Sequence, residues 1–171
     1  MIRRPPRSTQ GVSSAASDVY KRQEQCNVWK NMSKSIVFTN GCFDLLHRGH
    51  INLLEKAATF GDILIVGLNS DKSVKIIKGA DRPIESENVR INHLIKLGMI
   101  SAICFFDNVT PLELIRIIKP DVLVKGGDYK TKTIVGSKEI VEWDGRVELV
   151  PLTPGYSTTI SIEKMKREGL V

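Results

Sequence analysis

Residues 39–50 read Thr39-Asn40-Gly41-Cys42-Phe43-Asp44-Leu45-Leu46-His47-Arg48-Gly49-His50, or TNGCFDLLHRGH. The stretch follows a β-type apolar run, Ile36-Val37-Phe38. It precedes Ile51 to Phe60, whose apolar residues recur at helical spacing until Gly61 ends them. It is therefore a strand-to-helix turn. Two of the chain's three histidines lie in it, His47 and His50. Spaced three apart, they can point both imidazoles the same way across one helical turn. Gly41 permits a tight turn and close approach of a ligand to the backbone. Gly49 sits where the helix begins and has no Cβ to block a phosphate. A helix start offers unpaired N–H groups and a partial positive charge of about half a unit. Two imidazole donors on such an end make a site for a phosphoanion, above all one that gains charge during reaction.

Other readings of the same residues are weaker. Two histidines three apart could ligate zinc, but no third ligand is obvious nearby and no His-Glu-x-x-His pattern exists. Cys42 reads as a small packed residue rather than a nucleophile. Asp44 orders the loop or caps the helix.

Working outward, strands and helices alternate. Ile63 to Leu68 is a continuous apolar run of buried-strand type. A polar, lysine-bearing segment follows to Pro83. Glu85 to Leu97 reads as a helix, Ala102 to Phe106 as a strand, and Pro111 opens a helix whose apolar face is Leu112, Leu114, Ile115 and Ile118. Val122 to Val124 is a strand, Ser137 to Trp143 a short helix, Val147 to Val150 the fifth strand, and Thr158 to Arg167 the last helix. Five strands alternating with helices imply an α/β domain with a mostly parallel sheet covered on both faces. In such sheets ligands bind beyond the carboxyl ends of the strands, where the histidine turn falls.

The 171-residue chain is long enough for one domain with a proper core, and its hydrophobic content of 42% suits a soluble globular protein. No apolar run reaches the ~18 residues of a membrane span, and no secretory signal follows the basic N-terminus. Three widely spaced cysteines, Cys26, Cys42 and Cys104, suit neither a disulfide framework nor a zinc site, so a reducing cytoplasm is expected. The net charge of +6 sits in the first 34 residues, with seven Lys/Arg against two Asp/Glu; the remainder has 18 against 17. The folded body is thus nearly neutral, which argues against nucleic-acid binding. Residues 1–33 lack apolar periodicity and read as a disordered tail. MIRRPPRSTQGVSSAASDVYKRQ also resembles translated adaptor or vector sequence, so the domain is expected to span 34–171. Met32-Ser33-Lys34-Ser35 matches the end of a synthetase lysine loop by chance, since it lies upstream of the histidines.

TNGCFDLLHRGH resembles the opening motif of the cytidylyltransferase-like nucleotidyltransferases. Four further stretches resemble the heptose 1-phosphate adenylyltransferase branch. They are Leu68-Asn69-Ser70-Asp71-Lys72-Ser73-Val74 with Lys78-Gly79 and Arg82-Pro83; Leu123-Val124-Lys125-Gly126-Gly127-Asp128-Tyr129; Val135-Gly136-Ser137-Lys138-Glu139; and Gly155-Tyr156-Ser157-Thr158-Thr159. The resemblance runs from about Ser35 to Lys166. It implies a Rossmann-like five-stranded parallel sheet and transfer of AMP from ATP to D-glycero-D-manno-heptose 1-phosphate, with release of pyrophosphate. The product would be an ADP-heptose for surface polysaccharide. Val150-Pro151-Leu152-Thr153-Pro154 lacks the arginine that glycerol-phosphate and ethanolamine-phosphate cytidylyltransferases carry before their Ser-Thr pair. That disfavours the alternative, a cytidylyltransferase acting on glycerol 3-phosphate or another small alcohol phosphate. A nucleotide-binding regulator without turnover is a further alternative. The sugar-kinase domain often fused ahead of the heptose enzyme is missing from the sequence, so a stand-alone transferase is expected.

The resemblance also assigns roles. His47 and His50 would hold the triphosphate and the pentavalent α-phosphate, with Lys78 beside them. Asn40, Gly41, Cys42, Phe43, Asp44, Gly49, Asn69, Arg90, Lys125, Gly127, Asp128, Ser157 and Thr158 would bind the nucleotide; Phe43 would use its backbone N–H while its ring packs. Ser157 and Thr158, at the start of the last helix, would form a second anion-binding end. Lys75 and Arg82 are candidates for the acceptor phosphate. Mg²⁺ is expected with the ATP, held by phosphate oxygens and water and not by protein ligands. A homodimer is expected by analogy with the family. His93 reads as structural or exposed.

Overall fold

The computed structural model describes residues 15–127 and 133–169, with backbone alone for residues 15–20 and for Thr158. Five parallel strands form its centre: β1 (Ile36–Gly41), β2 (Ile63–Asn69), β3 (Ala102–Phe106), β4 (Val122–Gly126) and β5 (Arg146–Val150). Their order is β3-β2-β1-β4-β5. The helices are α1 (Ala15–Asn31), α2 (Arg48–Ala58), α3 (Asp71–Lys78), α4 (Glu87–Lys96), α5 (Leu112–Ile118), α6 (Ser137–Glu142) and α7 (Thr158–Arg167).

Alternation along each strand splits the core into two layers. Val37, Leu64, Val66, Leu68, Val122 and Val124 face one way, under Leu54 and Ala57 of α2 and Leu94 of α4. Ile36, Phe38, Ile65, Cys104 and Leu123 face the other, under Leu114, Ile115 and Ile118 of α5, Ile140 of α6 and Cys26 of α1. A sheet covered on both faces needs apolar residues at successive positions, which is why β1, β2 and β4 read as unbroken runs.

The connection pattern positions the site. From β1 the chain builds outward through β2 to β3, then returns to place β4 on the other side of β1. The β1/β4 boundary is thus the topological switch point, where the departing connections leave a crevice at the carboxyl ends. Asn40-Gly41 ends β1 and Lys125-Gly126 ends β4, both on that edge.

One expectation is corrected. Residues 15–31 form helix α1 and are not part of an unstructured tail. Cys26 is buried and Trp29, one turn on, packs against the same layer. Arg22 donates to the Phe105 carbonyl at 3.4 Å, and Lys30 reaches the Lys119 carbonyl. Two apolar contacts among its described side chains are too few to show as periodicity, so docking and not amphipathic pattern holds this helix. The segment after β2 is polar and lysine-bearing, as expected. It carries α3, started by Ser70, whose Oγ accepts the Ser73 N–H. Most of its residues face water, and only Ser73 and Val74 are buried.

Candidate functional site

The turn between β1 and α2 is built on unusual backbone. Phe43 and Leu45 adopt left-handed conformations, φ +47° and +56°, which non-glycine residues avoid. Phe43 is buried, its ring folded back over Gly41, where a Cβ would lie 3.1 Å from it. The same ring meets His50 edge-on at 5.3 Å between centroids. Asp44 does not cap the helix. Only 1% exposed, it accepts both Arg82 Nε and a terminal Arg82 nitrogen, and the backbone N–H groups of Ile84 and Glu85. It orders the loop.

The helix cap is His47 itself. Its Nδ1 accepts the His50 N–H, and His50 Nδ1 accepts the His47 N–H, each at 3.4 Å. The two histidines thus form a reciprocal capping box of the kind usually made by Ser/Thr and Glu. Their rings stack with centroids 3.8 Å apart and planes 19° from parallel. With both Nδ1 atoms acting as acceptors, each neutral ring carries its proton on Nε2, on the side away from the helix backbone. The cap therefore selects the tautomer that offers two N–H donors to a ligand.

Burial, then the neighbouring His47 charge, pulls the His50 pKa down to about 4, with Asp44 opposing; burial also lowers His47. Two stacked imidazolium ions would repel, so both rings are neutral at pH 7. In the unfolded chain a histidine titrates near 6.5. Between pH 6.5 and 4 the unfolded state takes up protons that the folded state refuses. Stability is complete above that window and falls as pH drops through it, by up to about 3 kcal/mol for His50. Urea midpoints at pH 7 and pH 4.5 measure this. The drop should shrink in His50→Gln; an equal drop would remove the assigned cause.

Gly49 serves the packing of the turn. A Cβ there would lie 3.0 Å from two His47 ring atoms and 3.4 Å from Tyr156 Cβ. The space is filled by protein, so the missing side chain lets the His47 ring stack and lets the start of α7 approach α2. Asn52 of α2 donates to Thr153 Oγ1 at 3.0 Å and fastens the same segment. Ser157 follows Tyr156 directly and caps α7, its Oγ accepting the Ile160 N–H at 3.1 Å. Two helix starts and two imidazoles are thereby gathered at one place. Thr158 begins α7, but its side chain lies outside the described residues, as does the whole of Asp128.

Lys125 extends from the end of β4 to Asn40 Oδ1, 2.6 Å away. Burial lowers its pKa to about 8. An ammonium so poorly solvated gains from an incoming phosphate. Lys75 and Lys78 lie exposed in the last turn of α3, and Lys78 is near enough to Cys42 to act on its thiol. Burial outweighs that charge and raises the Cys42 pKa, which favours the protonated thiol.

Several expected ligand contacts are occupied within the protein. Arg90 is wholly buried. It donates to the carbonyls of Cys42, Asn69 and Glu85 and pairs with Asp71 at 2.8 Å. It braces the loop from behind. Asn69 is 3% exposed and its Nδ2 donates to Ser73 Oγ. Gly127 gives its N–H to Val150, with φ +123°. Arg82 commits two nitrogens to Asp44. A turn with left-handed non-glycine residues needs its backbone groups satisfied; Arg90 does this at the Cys42 carbonyl, while Arg82 holds the Asp44 carboxylate that accepts two further amides.

Sequence reasoning did not find Glu85 or Tyr156. Glu85 accepts the Leu45 N–H from 40 residues away, and spacing carries no signal for such a contact. Tyr156 lay inside a quoted motif but its approach to Gly49 is visible only in the fold. No group of three or more His, Cys, Asp or Glu capable of holding a metal occurs among the described residues. No helix among them is long and apolar enough to cross a membrane.

A family model described as cytidylyltransferase-like matches residues 38–167. The Bifunctional protein HldE of Koribacter versatilis is 48% identical over 160 residues, covering 92% of this chain and 33% of that protein. Its counterpart in Geotalea uraniireducens is 52% identical over 137 residues, covering 80% and 28%. That of Campylobacter jejuni is 51% identical over 148 residues, covering 86% and 31%. The chain spans about a third of the length of these relatives. Among solved structures, a lipopolysaccharide core biosynthesis protein from Thermoplasma volcanium superposes with a TM-score of 0.56 at 24% identity, covering 70% of this chain and 97% of that one. A pantoate–β-alanine ligase from Francisella tularensis, complexed with β-γ ATP and β-alanine, gives 0.57 at 15% identity, covering 89% and 81%. These two likenesses concern the fold.

Proposed function

The chain belongs to the cytidylyltransferase-like family, and we propose that it transfers AMP from ATP to D-glycero-D-manno-heptose 1-phosphate, giving ADP-heptose and pyrophosphate. The observation that carries the chemistry is the stacked His47–His50 pair beside the start of α7. The identity of about 50% to the HldE proteins supports the acceptor.

In this reading a phosphate oxygen of the sugar 1-phosphate attacks the α-phosphorus in line. The new P–O bond forms as the bond from the α-phosphorus to the bridging oxygen breaks, and pyrophosphate takes that electron pair. No covalent enzyme intermediate is needed, so catalysis is positioning and charge stabilisation. The two Nε2–H donors face the α-phosphate oxygens, whose charge grows as the reaction proceeds. The α2 and α7 starts hold the triphosphate between them. Lys125, Lys78 and Lys75 offset its charge, and Lys75 or Lys78 takes the acceptor phosphate. Mg²⁺ would ride on phosphate oxygens and water, since the motif's own carboxylate, Asp44, is engaged with Arg82 and backbone amides. The partners are small molecules and not nucleic acid. The assembly is a homodimer by family analogy, and the location cytoplasmic, where ATP and reduced cysteines are found.

A screen of four NTPs against a panel of sugar and polyol phosphates, read by pyrophosphate release, tests the assignment. ATP with heptose 1-phosphate is expected to exceed every other pair by at least about tenfold in kcat/KM, a discrimination of about 1.4 kcal/mol. Preference for CTP with glycerol 3-phosphate would overturn it.

A further inference from the structure

Leu45 lies between Asp44, whose carboxylate is locked, and His47, which caps α2. Its φ of +56° is one that a branched L-residue holds only when its surroundings impose it. The surroundings here are the segment Arg82–Arg90. The two segments grip each other reciprocally. Asp44 accepts the N–H groups of Ile84 and Glu85, each at 2.9 Å, and Glu85 Oε2 accepts the Leu45 N–H at 3.2 Å. Glu85 is itself fixed at two more points. Its carbonyl accepts Arg90 Nε at 3.1 Å, and its carboxylate sits 3.4 Å from His93 Nδ1. Its side chain is 20% exposed, and it lines a cavity of about 350 Å³ together with Leu45, His93 and, from α7, Lys164 and Met165. Glu85 therefore stands where the histidine loop, α4 and α7 meet.

We propose that Glu85 is a positioning residue of the nucleotide site. By accepting the Leu45 N–H it fixes the left-handed turn from which the chain enters His47, and so sets the placement of the His47 ring over His50. The kinetic side of this inference rests on the AMP-transfer reading; the structural side does not. Without the carboxylate the Leu45 amide loses its partner, and residue 45 is released toward extended backbone. The direction of entry into the helix cap then changes. The reciprocal His47–His50 bonds are already long at 3.4 Å and have little tolerance for that change.

The full chain carrying Glu85→Ala or Glu85→Gln, with ¹⁵N-labelled histidine, separates the possibilities. Pyrophosphate release and imidazole ¹H–¹⁵N spectra are the two readouts. Glu85→Ala is expected to lower kcat about 10- to 100-fold with a smaller change in KM for ATP, and to erase the Nε2–H preference at His47 and His50. Glu85→Gln, whose amide oxygen can accept the same N–H, is expected to keep wild-type tautomers and kcat within about threefold. Wild-type kcat and tautomers in Glu85→Ala would overturn the proposal. So would equal damage in Glu85→Gln, because charge and not the acceptor would then matter. If Glu85→Ala fails to fold, Glu85→Met keeps the bulk without an oxygen and is held to the same expectations. If the wild-type protein releases no pyrophosphate with any pair of substrates, the functional reading fails, while the imidazole spectra still decide the role of Glu85.

Discussion

Replacing His50 by alanine is expected to lower the rate of pyrophosphate release by about 10²–10³-fold, with ATP binding weakened far less. The asymmetry follows from where charge develops. A neutral Nε2–H donor gains most when the α-phosphate becomes pentavalent, and an interaction stronger in the transition state acts on kcat. Burial holds His50 neutral, and its capping role leaves the proton on Nε2. The substitution also removes a cap acceptor and the ring stacked on His47, a stability loss of about 1 kcal/mol. Single-turnover kinetics on folded protein, with ATP affinity measured separately, keeps the two effects apart. Undiminished turnover would end the assignment of His50.

Arg90→Ala is expected to show the largest stability effect, about 3–5 kcal/mol in urea unfolding. Its guanidinium is wholly buried and serves three carbonyls and one carboxylate. Truncation leaves the Cys42 and Asn69 carbonyls without that donor in a place water does not easily reach. Arg90→Lys is not expected to restore the loss, since one ammonium cannot reproduce a planar fork spanning four acceptors. A loss below about 1 kcal/mol, combined with a large rise in KM for ATP, would return Arg90 to the role of a nucleotide ligand.

The sheet was legible because β1, β2 and β4 are covered on both faces and read as apolar runs, and because α2, α4 and α5 show an apolar face. α1 escaped because, among its described side chains, Cys26 and Trp29 are the apolar ones packed against the core. α3 escaped because its buried contacts are a serine and a valine. In the site, the His-x-Gly-His spacing announced the imidazole pair, and Ser157 announced the last helix start. The roles of Arg82, Arg90 and Asn69 were not readable. An arginine near a phosphate motif looks the same in sequence whether it points at the ligand or at a carbonyl behind the loop. Only the fold shows that the left-handed turn at Phe43 and Leu45 creates acceptors that something must satisfy.

The fastening of residues 153–157 onto α2 has a bearing on how the protein is made. The histidine turn leaves the ribosome well before its opposing wall, which follows it in the chain after four further strands. Strands β1 to β4 can pair during synthesis, yet the cradle for the nucleotide closes only once Tyr156 settles over Gly49 and Thr153 meets Asn52. A nascent chain can therefore carry most of its sheet before it can hold a substrate, and competence arrives with α7.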